Sequence, residues 1–320
     1  MISAAKALEM GREFLIDIGR RDPEVRIVTD TTEFFQVDVG DVVLLESGAY
    51  LIRGHEREGR FGMDDSIKQW VKKAVDLVTG QRKVLKLVFF ERFEIKVGTI
   101  TYECFRSPKK EGRILDLVRN HPNFMQGFST RDAKGNNVRV IDFIPGPTLS
   151  QHVDDLEMDH ATYFHEALPK LLDLFIPTVD GLGLLHRNME KHGDVRRDHL
   201  ILGPNGHLSW IDFDYNYRHG EFIAGLDLAG LGNILIFLVG GGDITAKETA
   251  EHQPEAFERL TEGDLSMVFR NRIANLKKLF PYIPDRLNNV ALHFSAGTEI
   301  FYNSVDELLD DLYRARADLP

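Results

Sequence analysis

Acidic and imidazole side chains are concentrated in one stretch of the sequence, KHGDVRRDHLILGPNGHLSWIDFDY. Asp194 stands in the triplet HGD, and Asp212 follows 18 residues later in WIDFD, which also contains Asp214. A carboxylate within hydrogen-bond reach of a hydroxyl group can accept its proton, and carboxylate oxygens hold hard divalent cations. HGD alone is equally compatible with a capped turn that leaves Asp194 in solvent. The second acidic motif favours a chemical role for the stretch.

The elements that must position these residues begin with strands. Residues 39–90 contain short apolar runs separated by turn signals, which predict three or four antiparallel strands. The segment SPKKEGRILDLV has apolar residues at helical spacing after Ser107, so it predicts a helix. Two further strands, FMQGFST and NVRVIDFI, end before the break at Pro145-Gly146-Pro147.

Beyond this break the pattern is mainly helical, apart from two short strands in LILGPNGHLSWIDFDY. The sequence therefore predicts an N-terminal extension over residues 1–38, a β-rich lobe over 39–144 and a larger helical lobe over 145–320. The extension is expected to pack on the main body, and an arm that binds a partner is the alternative. A cleft between two such lobes is a common place for a small ligand.

The order and content of these segments resemble the protein-kinase-like superfamily from about Val39 to Ala317. The body of the chain looks most like the bacterial Ser/Thr protein kinases, whereas HGD and IDFD are similar to the motifs of aminoglycoside and choline kinases. This resemblance implies an α+β, protein-kinase-like bilobal fold with a small β-rich N-lobe and a larger helical C-lobe. It also implies ATP-dependent phosphoryl transfer to a hydroxyl group.

The resemblance assigns roles to two charged residues of the N-lobe. Lys86, in KVLKLVF, matches the strand lysine that positions ATP, and Glu111, in KKEGRILDLV, matches the helix glutamate that pairs with it. Each residue taken alone has a plainer interpretation. A strand lysine can lie along a sheet edge with its charged end in water, and a helix glutamate can be a solvated surface charge.

The same resemblance predicts nucleotide contacts made mainly by backbone groups. Gly59 and Gly62, in EGRFG, match two glycines of the family's phosphate-binding loop. Asp142 and Ile144, in RVIDFIPGP, match the hinge segment, whose backbone N–H and C=O groups face the adenine edge. An ordinary strand end is the alternative for this second segment.

In the C-lobe the resemblance places Asp194 as the catalytic base and Asp212 as a metal ligand. Arg196 stands where a lysine usually contacts the transferred phosphoryl group, although a surface charge is the alternative. His199 replaces the usual asparagine metal ligand, which favours Mn²⁺ over Mg²⁺, and Asp214 is a further acidic ligand candidate. The cofactors implied are ATP with Mg²⁺ or Mn²⁺.

The segment after the metal-binding motif is short. Asp227 comes only 15 positions after Asp212, and it begins DLAGLGNILIFLVGG, which resembles the helix that follows the activation segment of protein kinases. Protein kinases commonly seat a substrate peptide on this segment. The acceptor is therefore expected to be either Ser or Thr of a protein or a hydroxyl-bearing small molecule, without control by phosphorylation of the segment.

Composition excludes several other classes. The formal net charge of −11 argues against a protein that coats nucleic acid. No apolar run approaches the length of a membrane span, and the single cysteine, Cys104, has no partner for a disulfide. These features predict a cytoplasmic protein.

The alternative function is a pseudokinase, a nucleotide-binding regulatory or scaffolding module that no longer transfers phosphate. Four features motivate this alternative: His199, Asp214, the short segment, and Arg57, which replaces the first glycine of the family's phosphate-binding loop. A purely structural interpretation is weaker, because Lys86, Glu111 and the two aspartates are charged groups whose burial costs free energy without a compensating ligand or partner.

Overall fold

In the computed structural model the described residues are 2–58, 66–97, 100–218 and 224–320. They divide into two compact units, each built from separated stretches of the chain. The sheet unit comprises Met1–Glu91, Arg106–Asn120 and Met125–Ile144, and the helical unit comprises Arg92–Phe105, His121–Phe124 and Pro145–Pro320.

Strands and helices are numbered separately in chain order. The strands are β1 (Ile27–Val28), β2 (Val42–Leu45), β3 (Gly48–Glu58), β4 (Ser66–Asp76), β5 (Arg82–Lys86), β6 (Arg92–Val97), β7 (Ile100–Arg106), β8 (Gly127–Arg131), β9 (Asn137–Asp142), β10 (Leu200–Leu202), β11 (Leu208–Trp210) and β12 (Tyr215–Arg218). The helices are α1 (Ala4–Asp17), α2 (Pro108–Leu117), α3 (Leu149–Asp154), α4 (His160–Glu166), α5 (Leu168–Arg187), α6 (Gly225–Gly240), α7 (Ala246–His252), α8 (Pro254–Phe257), α9 (Asp285–Leu292) and α10 (Val305–Ala317).

The sheet unit is organised around one large sheet. Within the described ranges its strand order is β1-β2-β3-β4-β5-β9-β8, and every pair is antiparallel except β1 with β2. Because successive side chains of a strand point to opposite faces, both faces of the sheet carry apolar residues. One face contributes Val43, Leu45, Tyr50, Ile52, Leu85 and Val140, and the other contributes Val42, Ala49 and Leu51.

Helix α1 covers the second of these faces. It begins after Ser3, whose side chain accepts a hydrogen bond from the first turn, and it buries a stripe formed by Ala7, Gly11 and Leu15. A Cβ atom on Gly11 would lie 2.8 Å from Cγ2 of Val42, so the missing side chain allows the helix to approach the sheet closely. The N-terminal segment is thus an integral layer of the sheet unit.

The helical unit combines long helices with two small sheets. Helix α5 packs against α10, and α6 is buried around almost its whole circumference, as its apolar sequence predicts. Strands β10 and β11 form a hairpin, and β12 joins the hairpin of β6 and β7 in the order β12-β7-β6. Aromatic contacts accompany this pairing, with Tyr102 edge-on to Tyr217 at 5.5 Å and Phe93 edge-on to Tyr215 at 5.2 Å.

The predicted α+β fold class is confirmed, with a β-rich unit and a larger, mainly helical one. The strands predicted before residue 90, the helix after Ser107 and the later helices are all present. Strands β6, β7 and β12 were not predicted. By compactness, residues 92–105 and 121–124 belong to the helical unit. The division into an extension over 1–38, an N-lobe over 39–144 and a C-lobe over 145–320 stays a prediction. Within the described part of the chain, none of the helices is both long and apolar enough to cross a lipid bilayer.

Candidate functional site

Three charged side chains meet inside the sheet unit. Nζ of Lys86 lies 2.6 Å from Oε1 of Glu111, and Nε of Arg139 donates to Oε2 of the same carboxylate at 2.9 Å. Lys86 is 4% exposed, and the other two residues are fully buried. Buried charges are tolerated when they are paired and hydrogen-bonded, as they are here. Lys86 and Glu111, which the sequence predicted to pair, are thus brought together, and the sequence did not predict their partner Arg139.

The backbone explains why these groups converge. Lys86 and Arg139 are directly opposite each other on the neighbouring antiparallel strands β5 and β9. Glu111 lies in the first turn of α2, which starts at Pro108 after the N-cap residue Ser107. Proline in the first turn and serine at the N-cap both favour a helix start, so the sequence fixes where Glu111 lies on its helix.

Arg139 also ties this group to the backbone. Its guanidinium donates to the carbonyl oxygens of Asn137 at 3.1 Å and Leu87 at 3.3 Å. A guanidinium held at three acceptors has little rotational freedom, and it fixes one oxygen of Glu111 while Lys86 contacts the other. Glu111 is therefore held from the sheet as well as by its own helix.

The predicted hinge segment lies at the end of β9. The Asp142 side chain is exposed and pairs with Lys83 at 2.5 Å, while its backbone N–H donates to Gln126. Among the described residues, the backbone N–H and C=O of Ile144 have no backbone hydrogen-bond partner. The predicted loop residues Gly59 and Gly62 lie outside the described residues.

In the helical unit, Asp194 is surrounded by two basic residues. Its Oδ1 forms an ion pair with Nε of Arg196 at 3.3 Å, and its Oδ2 lies 3.6 Å from Nδ1 of His199. Gly193, immediately before it, has φ of +87°, and a Cβ atom there would lie 2.0 Å from the carbonyl oxygen of Tyr215. Only glycine fits this turn, which explains the HGD sequence in place of a larger middle residue.

The hydrogen bonds of His199 define its tautomer. Its Nδ1 lies 2.9 Å from the backbone carbonyl oxygen of Asp194, which can only accept, so Nδ1 carries a proton. Its Nε2 lies 2.5 Å from Nη2 of Arg196, which can only donate, so Nε2 is the acceptor. Oδ2 of Asp212 lies 3.7 Å from the same Nε2, so a metal ligated there by His199 would require Arg196 to move away.

Asp212 and Asp214 follow strand β11 directly. Each offers a carboxylate oxygen, and these two oxygens lie within 4.8 Å of each other. Asp214 is fully buried and Asp212 is 9% exposed. Asp212 has φ of +63°, a left-handed conformation that costs a non-glycine residue about 1–3 kcal/mol and often occurs at functional sites. Two clustered carboxylates form the kind of oxygen donor set that holds Mg²⁺ or Mn²⁺.

Comparison with known proteins identifies several similar kinases, although no family model matches the chain. It is 25% identical over 166 residues to the hormonally up-regulated neu tumor-associated kinase homolog A of Xenopus laevis. It is 23% identical over 145 residues to the serine/threonine-protein kinase SSK22 of Saccharomyces cerevisiae, and 22% identical over 219 residues to the SNF1-related protein kinase catalytic subunit alpha KIN12 of Arabidopsis thaliana. The chain is thus similar in sequence to protein kinases.

The similarity covers part of this kinase-like chain and a smaller part of its relatives. The three matches extend over 52%, 45% and 60% of the chain and over 21%, 10% and 40% of the respective relatives. Among solved structures, that of a point mutant of the PknI kinase domain of Mycobacterium tuberculosis has a TM-score of 0.48 and 14% sequence identity, with 83% of this chain and 95% of that one covered.

A buried aspartate of this kinase-like chain holds the backbone that carries Asp194. Asp227, in the first turn of α6, accepts hydrogen bonds from the backbone N–H groups of His192 at 2.8 Å and Gly193 at 2.9 Å. It also accepts from Nε2 of His186 at 2.9 Å. Burial alone would raise its pKa, but these hydrogen bonds and the nearby histidines outweigh burial and lower the pKa of Asp227 to about 2.

We expect Asp227→Asn to lower the free energy of unfolding near neutral pH, because the carboxylate is more stable in the folded chain than in water. With a pKa of about 2 against an ordinary value of 3.8, the ionisation contributes about 2 kcal/mol. Because the pKa of Asp227 is lower in the folded state, its ionisation stabilises that state fully at pH values above the unfolded pKa. This contribution is lost as the pH falls toward the folded pKa. Urea unfolding from neutral pH to about pH 3 should therefore show the two proteins converging.

The exposed Asp310, in α10, offers the matched control. Asp310→Asn should unfold like the unsubstituted chain at every pH. Equal stability of Asp227→Asn and the unsubstituted chain near neutral pH would contradict the role given to Asp227.

Asp227 and Arg139 are both recognisable in the sequence as charged residues within apolar segments. Arg139 interrupts the apolar strand NVRVIDFI at a position whose neighbours are buried, and a charged residue there requires a buried partner. Asp227 stands at the start of an otherwise apolar helix, DLAGLGNILIFLV. In both cases the residue type can be read from the sequence, but its partner cannot be predicted because it lies far away along the chain.

Proposed function

We propose that this kinase-like chain transfers the γ-phosphoryl group of ATP to a hydroxyl acceptor. The observation that carries the proposal is the buried contact between Lys86 and Glu111 at 2.6 Å. An ammonium group fixed at the end of a strand is suited to position phosphate oxygens, and the glutamate fixes its direction. Ile144 supports the nucleotide assignment, because its backbone N–H and C=O have no backbone hydrogen-bond partner among the described residues.

The helical unit supplies the groups that the chemistry requires. Asp212 and Asp214 would hold the divalent ion, Mg²⁺ or Mn²⁺, and their clustered carboxylates fit such an ion. When bound, the ion neutralises negative charge on the triphosphate. His199 joins this ligand set only if Arg196 leaves Nε2.

Asp194 acts on the acceptor. Its carboxylate orients the hydroxyl group and accepts the proton as the acceptor oxygen forms a bond to the γ-phosphorus. The bond from that phosphorus to the β,γ-bridging oxygen breaks, and the bridging oxygen leaves with ADP. Arg196, whose Nε lies 3.3 Å from Oδ1 of Asp194, would donate hydrogen bonds to the transferred group.

The acceptor belongs to one of two classes. One of the similar proteins, SSK22, is named a serine/threonine-protein kinase, which favours Ser or Thr of a protein. The few residues between Asp212 and Asp227 favour a hydroxyl-bearing small molecule, because they leave little chain for a peptide platform. The cytoplasmic location and the absence of nucleic-acid binding stay predictions.

A second candidate function is a pseudokinase that binds nucleotide without transferring phosphate. One observation favours it. Nε2 of His199, a residue predicted to ligate metal, accepts a hydrogen bond from the guanidinium of Arg196. A metal site with a cationic group bound at one ligand would be incomplete.

Titration with ATP tests both candidates. A ligand that binds only the folded state stabilises it, by about 2.7 kcal/mol at a hundredfold excess over Kd. We expect ATP with Mg²⁺ or Mn²⁺ to raise Tm, and Lys86→Met to remove most of the shift. Lys170→Met, which replaces an exposed lysine of α5, is the matched control, and it should show the same rise in Tm as the unsubstituted chain.

Three outcomes are distinguishable when γ-phosphate release and transfer are measured alongside Tm. Metal-dependent turnover supports the phosphotransferase. A Tm shift without turnover, in either metal and with both acceptor classes present, supports the pseudokinase. No shift with ATP under any metal overturns both.

A further inference from the structure

A cavity of about 270 Å³ lies in the sheet unit, beside helix α1 and strands β3, β4 and β5. Its surface is largely apolar. Phe14 and Ile18 of the α1 region and Phe143, just beyond β9, line it together with Ala74 and Val75. Ile18 is 45% exposed, so part of its side chain is accessible to a ligand.

Four cationic side chains also line this cavity, each on a strand of the sheet. Two of them are neutralised within the unit. Lys73 pairs with Glu56 at 3.2 Å, and Lys83 pairs with Asp142 at 2.5 Å.

The other two cations are Arg53 and Arg82, and in the part of the chain that the structure describes neither guanidinium has an ion-pair partner. Four positive charges against two carboxylates leave an excess of two. This excess is local, because the chain as a whole carries a net charge of −11.

Both arginines lie near aromatic rings of the cavity. Cζ of Arg82 lies 3.6 Å from the ring centroid of Phe143, and Cζ of Arg53 lies 5.5 Å from that of Phe14. A guanidinium over a ring makes its contact through the flat face, which leaves its in-plane N–H groups for an acceptor. Planar N–H pairs of this kind bind carboxylate and phosphate groups well.

We propose that this cavity binds a small anionic ligand in which a carboxylate or phosphate group is attached to a compact apolar body. The anionic group contacts Arg53 and Arg82, and the apolar body occupies the surface lined by Phe14, Ile18 and Phe143. A volume of about 270 Å³ is slightly below the usual range of ligand pockets, about 300–1,000 Å³, so the ligand is small. Binding here requires neither ATP nor phosphoryl transfer, and the test omits nucleotide.

Benzoate, phenyl phosphate, benzamide and inorganic phosphate are suitable probes, titrated one at a time by calorimetry on the full chain. Benzoate and phenyl phosphate represent the two anionic groups, benzamide keeps the ring without the charge, and inorganic phosphate keeps the charge without the ring. The comparison compound is benzamide for benzoate and inorganic phosphate for phenyl phosphate. We expect at least one of the two aromatic anions to bind at least about tenfold more tightly than its comparison compound, a difference of about 1.4 kcal/mol.

Arg53→Gln and Arg82→Gln should each lower the binding affinity for the aromatic anion by about tenfold or more, since each removes a charged donor. Both residues are exposed, so the variants should fold, and their Tm is measured first. Arg12→Gln, which replaces an exposed arginine of α1, is the matched control and should bind like the unsubstituted chain. The proposal would be overturned if neither aromatic anion bound, if neither bound more tightly than its own comparison compound, or if both glutamine variants bound the aromatic anion as the unsubstituted chain does.

Discussion

Asp194→Asn should lower the rate of phosphoryl transfer by about 10²–10⁴-fold, the usual contribution of a positioned general base. Asparagine keeps the size of the side chain but cannot accept the acceptor's proton. ATP affinity should remain unchanged, because Lys86 and the backbone of Ile144, which we propose contact the nucleotide, are untouched. Single-turnover transfer from radiolabelled ATP measures the rate, and a Tm titration measures binding.

The same loop provides the control. Asp198 is exposed and only four residues away, so Asp198→Asn changes the net charge of the loop by the same amount without touching the proposed base. Its transfer rate should match that of the unsubstituted chain. If Asp194→Asn transferred phosphate at the full rate, Asp194 would not be the base, even if ATP binding were intact.

Arg139→Met should lower the free energy of unfolding by about 3–5 kcal/mol, the usual cost of removing one partner from a buried ionic group. Methionine fills much of the same volume, so the loss reports the charge and its hydrogen bonds more than a cavity. Oε2 of Glu111 loses its donor, and the carbonyl groups of Asn137 and Leu87 lose theirs. Urea unfolding measures the loss.

Arg119→Met is the matched control for this substitution. Arg119 is a largely exposed arginine of the sheet unit whose pairing with Asp116 is solvated, and its removal should change stability by less than about 0.5 kcal/mol. In the double variant with Glu111→Gln, the loss should be smaller than the sum of the two single losses, because the two residues interact. Additive losses would show that Arg139 stabilises the sheet independently of Glu111.

Much of the fold follows from local patterns. The apolar runs of β2 to β5 and the capped start of α2 were predictable, because their hydrophobic period and end signals lie within a few residues. Strands β6 and β7 also carry a clear pattern, since RFEIKV alternates charged and apolar residues, and the buried and exposed positions follow it. The pairing of β7 with β12 was not predictable, because it joins segments more than a hundred residues apart.

The candidate site shows the same division. Residue types at motif spacing identified Lys86, Glu111, Asp194 and Asp212 as candidates, and the structure brings Lys86 to Glu111 in one unit and Asp194 close to His199 in the other. The hydrogen bonds that orient them were hidden from the sequence. Arg139 and Asp227 act through partners on other elements, and the contact between Arg196 and His199 depends on how a three-residue turn folds.

The discontinuity of the helical unit has a consequence for its biogenesis. Strands β6 and β7 are synthesised more than a hundred residues before β12, with which they share a sheet. During translation their apolar side chains, among them Val97 and Tyr102, stay exposed to solvent until later residues of the chain cover them. Contacts between distant segments slow folding, and exposed strand edges promote aggregation meanwhile. A fragment of residues 145–320 produced alone would lack the neighbours of β12, and it should be recovered mainly in insoluble material.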